Sequence, residues 1–287
     1  MATTSVNIDQ LREWIGKSES REDRITLTPM AALSATLDRD DPWPSDGDPL
    51  PPLWHWLYFL PVHRQSELGF DGHPKRGGFI PPVRLPRRMF AGGRQQFHKP
   101  LRAGDAISRL SRIADVTHKT GRNGPLVFVL VRHEISNEDG LALVEEHDIV
   151  YRDHPRTGES AQPPQSAPID TSWTREIFTD AVMLFRYSAL TFNPHRIHYD
   201  LRYCTDVEGY PGLVVHGPLI ATLLADVVRR NLPNARVTNF SFRAVRPLFD
   251  IHPFSVNGRL ENDGKTARLW AKDHDGWLCM DATATLV

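Results

Sequence analysis

The chain has 287 residues, 40% of them hydrophobic and 24% charged, enough for one large domain or two small ones with a substantial core. Its net charge of −1 argues against nucleic acid or an anionic membrane as a partner. Two cysteines, Cys204 and Cys279, argue against a disulfide framework, and a polar start from Met1 to Arg21 with no bilayer-length apolar run argues against a signal or an anchor, so a soluble cytoplasmic protein is expected.

In chain order, Trp54, Trp56, Phe59 and Phe70 fall in a Pro-rich stretch and are expected in a core before a ligand wall. Arg87, Arg88, Lys99, Arg102, Lys119 and Arg122 follow as cations able to meet phosphate groups. The next predicted elements are strands at Ala106–Val116, Leu126–Glu134 and Leu141–Arg152, the last two joined by a turn at Glu138-Asp139-Gly140. Residues 153–168 then carry four prolines and no periodicity, which predicts an extended linker and divides the chain into 1–153, a 154–168 linker and 169–287.

Beyond the linker, Leu219, Ile220, Leu223, Leu224, Val227 and Val228 recur at helical spacing. Pro218 suits a first helical position, and Arg229 and Arg230 suit the last turn. Strands are predicted at Val237–Val245, Phe254–Glu261, Thr266–Asp273 and Leu278–Val287, with turns at Asn262-Asp263-Gly264 and at 273–276. Phe97-His98-Lys99-Pro100-Leu101 is echoed by Phe242 through Arg246-Pro247-Leu248, and an Asp-Gly turn precedes the last strand of each half. The repeated order implies a duplicated α+β unit in which a sheet wraps a helix.

Most of the chemistry lies in Asn193-Pro194-His195-Arg196-Ile197-His198-Tyr199-Asp200, followed by Val215-His216-Gly217-Pro218. A histidine both takes and returns a proton near neutral pH, and a glycine opening an apolar helix offers free backbone N–H donors. Asn193-Pro194 is a turn starter, so Asn193 either holds the loop or bonds to His198 or a water. His195, His198 and Asp200 also read as H-x-x-H-x-D, but no distant Cys/His cluster completes a metal set, and no metal is expected.

Asn193-Pro194, Ile197-His198, Asp200 and His216-Gly217 together resemble the signature of the MaoC-like, or hydratase 2, family. These are (R)-specific enoyl-thioester hydratases and 3-hydroxyacyl-thioester dehydratases with hotdog folds. The string from Arg186 to Asp200, the string from Tyr210 to Asp226, Asp71-Gly72-His73-Pro74 and Leu85-Pro86-Arg87-Arg88-Met89 are similar to one branch. That branch holds mitochondrial-type hydroxyacyl-thioester dehydratases and bacterial mesaconyl-C4-CoA and itaconyl-CoA hydratases. The resemblance implies an α+β double hotdog with a central helix in each unit, the first degenerate and the second catalytic. It implies His198, Gly217 and Asn193 as catalytic residues and a CoA thioester as substrate, with no cofactor; a homo-oligomer is left open. For a C5 dicarboxylic thioester, Arg88, Arg87, Arg196 and His216 are the expected substrate-binding residues, an arginine facing the free carboxylate.

Two departures from the family pattern stand out. Thr191 occupies the place of an Asp, and His195-Arg196 is inserted between Asn-Pro and Ile-His. A second proton-handling group is therefore left open among Asp200, Glu145 and Glu146. Rival readings are a fatty-acid-type dehydratase, a hotdog thioesterase and a non-catalytic acyl-CoA-binding protein.

Overall fold

Antiparallel strands dominate the computed structural model, which describes residues 6–121, 124–153 and 163–287. The first half runs α1 (Ile8–Arg12), β1 (Ser18–Arg24), α2 (Leu27–Thr36), β2 (Arg87–Phe97), β3 (Ala106–Gly121), β4 (Gly124–Asn137) and β5 (Gly140–Arg152). The second runs β6 (Trp173–Ile177), α3 (Ala181–Leu190), α4 (Gly217–Asn231), β7 (Val237–Ala244), β8 (Phe254–Leu260), β9 (Thr266–Lys272) and β10 (Leu278–Leu286).

All ten strands belong to one sheet, in the order β1-β3-β4-β5-β2-β7-β10-β9-β8-β6. Read outward from the β2–β7 junction, the two halves repeat one strand order, so the duplication legible in the sequence is a duplication of topology. This is the double hotdog. At the junction Gly92 pairs with Arg243 and Gln96 with Asn239. A Cβ on Gly92 would lie 2.5 Å from the Phe242 carbonyl oxygen, so only glycine allows the strands to close there.

The seven predicted strands are all present, with ends moved by a few residues at most except at β3, which runs on to Gly121. Three further strands carry no alternation to betray them. β1 reads Ser-Glu-Ser-Arg-Glu-Asp-Arg, a charged edge strand of the kind that resists further pairing. β2 holds three arginines and two adjacent glycines, and β6 is five residues long.

The helix predicted from Pro218 is α4, and every residue from Leu219 to Val228 is buried. Its apolar side chains share one core with Leu33, Leu57 and Leu143 of the first half, so the halves bury each other's surface. Asp226, buried on α4, is held by Arg39 of the first half at 2.6 Å and by Arg230 at 2.6 Å. The first unit departs from expectation in its helix. Between α2 and β2, residues 37–86 form only two 3-10 turns, Trp54–Leu57 and Gln65–Glu67. Ten prolines in that segment remove the N–H groups a central helix needs.

Of the predicted linker, residues 154–162 lie outside the described residues. Ala167 packs with Trp270 and Leu278 and bonds through its N–H to Gly276 O at 3.0 Å. Among the described residues, no helix is long and apolar enough to cross a membrane.

Candidate active site

Helix α3 begins at Asp180, whose side chain accepts from Met183 N at 2.8 Å, and ends at Thr191. Thr191 Oγ1 donates back to Tyr187 O at 2.8 Å, so the position of the family Asp serves only to close the helix. The chain then turns through Phe192, at φ 48°. Asn193 Oδ1 accepts from His195 N at 3.1 Å. Of the two readings left open for Asn193, this bond is the loop-shaping one; among the described residues its side chain makes no hydrogen bond to His198.

His198 sits in a 3-10 turn, buried, with Nδ1 2.7 Å from Val214 O. A carbonyl only accepts, so Nδ1 carries the proton and Nε2 keeps its lone pair, as a general base requires. Burial lowers the His198 pKa to about 4, opposed by the Val214 bond and assisted by the charge of His73. Against its ring lies His216, centroids 3.7 Å apart and planes at 18°. His216 is fully buried, with Nε2 2.8 Å from Ser188 Oγ. Its expected role against substrate is therefore corrected: the side chain has no surface to offer a ligand and forms the wall behind His198. Burial, then the nearby His198 and His195, hold its pKa well below that of a free imidazole.

Gly217 is the first residue of α4, followed by Pro218. A Cβ built on it would meet only Phe90 Cδ1, at 3.9 Å. Gly217 thus leaves the first turn of the helix uncrowded by a side chain, and the backbone N–H donors at its positive end are of the kind that receives a developing oxyanion.

The first half supplies the rest of the site, and this the sequence reading missed. Asp71-Gly72-His73 packs onto Pro194-His195. Gly72 has φ +91°, and a Cβ there would stand 1.9 Å from Pro194 O, so both conformation and contact demand glycine. Arg196 N donates to Asp71 O at 3.0 Å. Asp71 Oδ2 lies 3.1 Å from His73 Nδ1; the His73 ring is 4.1 Å from that of His195, which stands perpendicular to His198 at 5.5 Å. By distance alone Asp71, His73 and His195 could hold a metal ion, so folding does bring together a cluster that sequence spacing did not show. Burial, with the charges of Arg88 and Arg76, lowers the proton affinity of His73 against the pull of Asp71, and the same burial and positive field oppose a cation. The signal was the Asp71-Gly72-His73-Pro74 motif itself, whose partner loop lies 120 residues away and only the fold reveals.

Two of the three expected arginines are already engaged. Arg196 pairs with Asp200 at 2.7 Å, donates to Phe70 O at 3.0 Å and lies over the Tyr203 ring. Arg87 pairs with Glu208 at 3.2 Å over the Tyr210 ring. In both, the charge is already matched within the fold. Among the described residues Arg88 makes no ion pair or side-chain hydrogen bond, and its charge reaches His73 and His195. Lys99, Arg102 and Lys119 serve Asp139 O, Gly47 O and the Phe128 ring, and Arg122 lies outside the described residues.

The carboxylates proposed for proton transfer lie elsewhere. Asp200 accepts from Arg196 and from Tyr203 N at 3.0 Å. Glu146 pairs with Arg94 and Arg132. Glu145 is buried in the first half, taking bonds from Trp56 Nε1 at 2.8 Å and Gln95 Nε2 at 3.0 Å, with His55 Nε2 at 3.1 Å. His147 Nε2 approaches Glu145 at 2.8 Å without hydrogen-bond alignment. The flanking histidines and these donors hold the Glu145 pKa well below its usual value although burial alone would raise it.

A family profile described as hydroxyacyl-thioester dehydratase type 2 matches residues 53–250. Mesaconyl-C(4)-CoA hydratase of Chloroflexus aurantiacus is 48% identical over 273 residues, covering 95% of this chain and 96% of that protein. Among solved structures, HtdX of Mycobacterium tuberculosis superposes with a TM-score of 0.66 at 18% identity, covering 93% of this chain and 98% of that one. A second protein of that organism, described as having a double hotdog fold, gives 0.58 at 14% identity over 95% and 96% of the two chains. Both structural likenesses speak to the fold alone.

Proposed function

The chain belongs to the hydroxyacyl-thioester dehydratase type 2 family, and from that premise we propose that it adds water to mesaconyl-C4-CoA, with its C5 isomer itaconyl-CoA the alternative; the steps below are those of the conjugated mesaconyl thioester. It is a hydro-lyase acting on CoA thioesters. The observation that carries the substrate choice is the 48% identity with mesaconyl-C(4)-CoA hydratase along nearly the whole of both chains.

The site residues fit the chemistry. His198 Nε2 takes a proton from water, whose oxygen attacks the β-carbon of the enoyl thioester. The π electrons move toward the thioester carbonyl, and the enolate oxygen is met by Gly217 N–H at the positive end of α4, a kind of donor worth about 3 kcal/mol in the transition state. The protonated His198 then returns its proton to the α-carbon. Dehydration is the same path reversed.

In mesaconyl-C4-CoA the free carboxylate sits on the β-carbon, one bond from the point of attack. A carboxylate drawn out of water there needs a cation. Arg88 supplies it, standing near His73 and His195 with no ion pair among the described residues. The test is kcat/KM for mesaconyl-C4-CoA and crotonyl-CoA in the wild type and in Arg88→Gln. Expected is a wild-type preference for the dicarboxylic substrate, with the mutation costing it roughly 2–4 kcal/mol more than crotonyl-CoA. A wild-type preference for medium or long monocarboxylic enoyl-CoAs would replace this reading with a fatty-acid-type dehydratase.

A further inference from the structure

Hydration needs the attacking water held as well as deprotonated, and a single base leaves the oxygen free to swing. The carboxylate that would share the task in the family pattern is absent, since Thr191 Oγ1 is turned back onto Tyr187 O. Among the described residues no carboxylate is hydrogen-bonded to His198. What does approach it is an imidazole, His195, whose ring stands at 89° to that of His198 with centroids 5.5 Å apart. That separation is compatible with one oxygen about 2.8 Å from a nitrogen on each ring.

His195 is held at its backbone and at its ring. Asn193 Oδ1 takes its backbone N–H at 3.1 Å. On the other side the first half presses His73 against it, ring centroids 4.1 Å apart. His73 is in turn fixed by Asp71, which accepts from its backbone N at 3.0 Å and lies 3.1 Å from Nδ1. The glycine between them, Gly72, is what lets this loop meet Pro194 backbone to backbone. His195 is one of the two residues inserted between Asn-Pro and Ile-His, and the loop it meets comes from the unit that carries no His-Gly motif of its own.

We propose that His195 is a second catalytic residue, which holds the nucleophilic water jointly with His198, and that Asp71 and His73 are positioning residues supplied to it by the first half. This rests on the hydratase reading above. In the step, one O–H of the water gives its proton to His198 Nε2 while the other is held by a ring nitrogen of His195. The C–O bond forms at the β-carbon, the π pair passes to the enolate at Gly217, and His198 delivers its proton to the α-carbon. One water is added and nothing is oxidised or reduced. The degenerate half therefore retains a part in the chemistry.

The test is steady-state hydration of mesaconyl-C4-CoA and crotonyl-CoA by the full chain and by His195→Ala, His195→Gln and Asp71→Asn. Expected for His195→Ala is a fall in kcat of about 30-fold or more with KM within about threefold, and partial recovery on adding free imidazole. His195→Gln, whose amide still bonds a water, should lose less, and Asp71→Asn should lower kcat about fivefold at unchanged KM. A purely structural role would raise KM, lower Tm and ignore imidazole, and that result overturns the assignment. If His195→Ala does not fold, wild-type kcat in His195→Gln together with Asp71→Asn overturns it instead. Hydration by the wild type with an unaffected His195→Ala sinks this assignment alone, whereas no hydration by the wild type sinks the hydratase reading and this one with it.

Discussion

His198 and His216 lie face to face, ring centroids 3.7 Å apart and planes 18° from parallel. Each ring is tied at one nitrogen, His198 to Val214 O and His216 to Ser188 Oγ. A charge on either ring would be buried and would repel a charge on the other, so the stack favours the neutral pair and keeps His198 a base.

Acid should therefore weaken the fold before the ordinary carboxylates titrate. The His198 pKa of about 4 lies below the 6.5 of a free imidazole, so the unfolded chain binds the proton first. The contribution is complete above pH 6.5, falls through the window, and is gone near pH 4; it amounts to about 3 kcal/mol. His73, His195 and His216 are displaced in the same direction. Thermal melts from about pH 8 to about pH 5 should show a steadily falling Tm. A flat Tm across that range would mean that these histidines are not buried neutral.

Gly217 separates space from chemistry. Its nearest neighbour to an added Cβ is Phe90 at 3.9 Å, so Gly217→Ala should fold with near-normal Tm. Gly217→Val places branched bulk where the thioester oxygen must sit and should lower kcat by about 10-fold or more. Unchanged kcat in the valine variant would remove the oxyanion role from this backbone.

The two halves should not survive apart. Residues 169–287 alone would expose the β7 edge and part of the core that α4 shares with Leu33, Leu57 and Leu143, and should be insoluble or inactive. Within the whole chain, Asp226→Ala removes the carboxylate that Arg39 and Arg230 share, leaving Arg39 to Asp41 and Arg230 to Leu37 O, and should cost about 1–3 kcal/mol in urea unfolding. A soluble, fully active fragment would show that the first half is dispensable.

The sequence disclosed what depends on local pattern. Helix α4 announced itself through its apolar spacing and Pro218, and seven strands through alternation and Asp-Gly turns. β1 and β2 stayed hidden because one is a charged edge and the other trades side chains for glycines where two strands meet. His198 and Gly217 were legible from their motif. Asp71 and His73 were visible as a motif without a role, since what gives them one is a contact with His195 made only on folding. The pairing of Arg196 was hidden for a related reason: sequence spacing placed it beside His198, but its guanidinium turns back to Asp200, four residues on.

The most direct measurement is water addition itself, followed by mass analysis of mesaconyl-C4-CoA incubated with the wild type and with His198→Ala. Expected from the wild type is a product heavier by one water with the thioester intact. Expected from a folded His198→Ala protein is the same product at a kcat lower by a factor of about 100 or more. Free CoA as the wild-type product, or near-wild-type water addition by His198→Ala, would contradict the assignment of His198 as the base of a thioester hydratase.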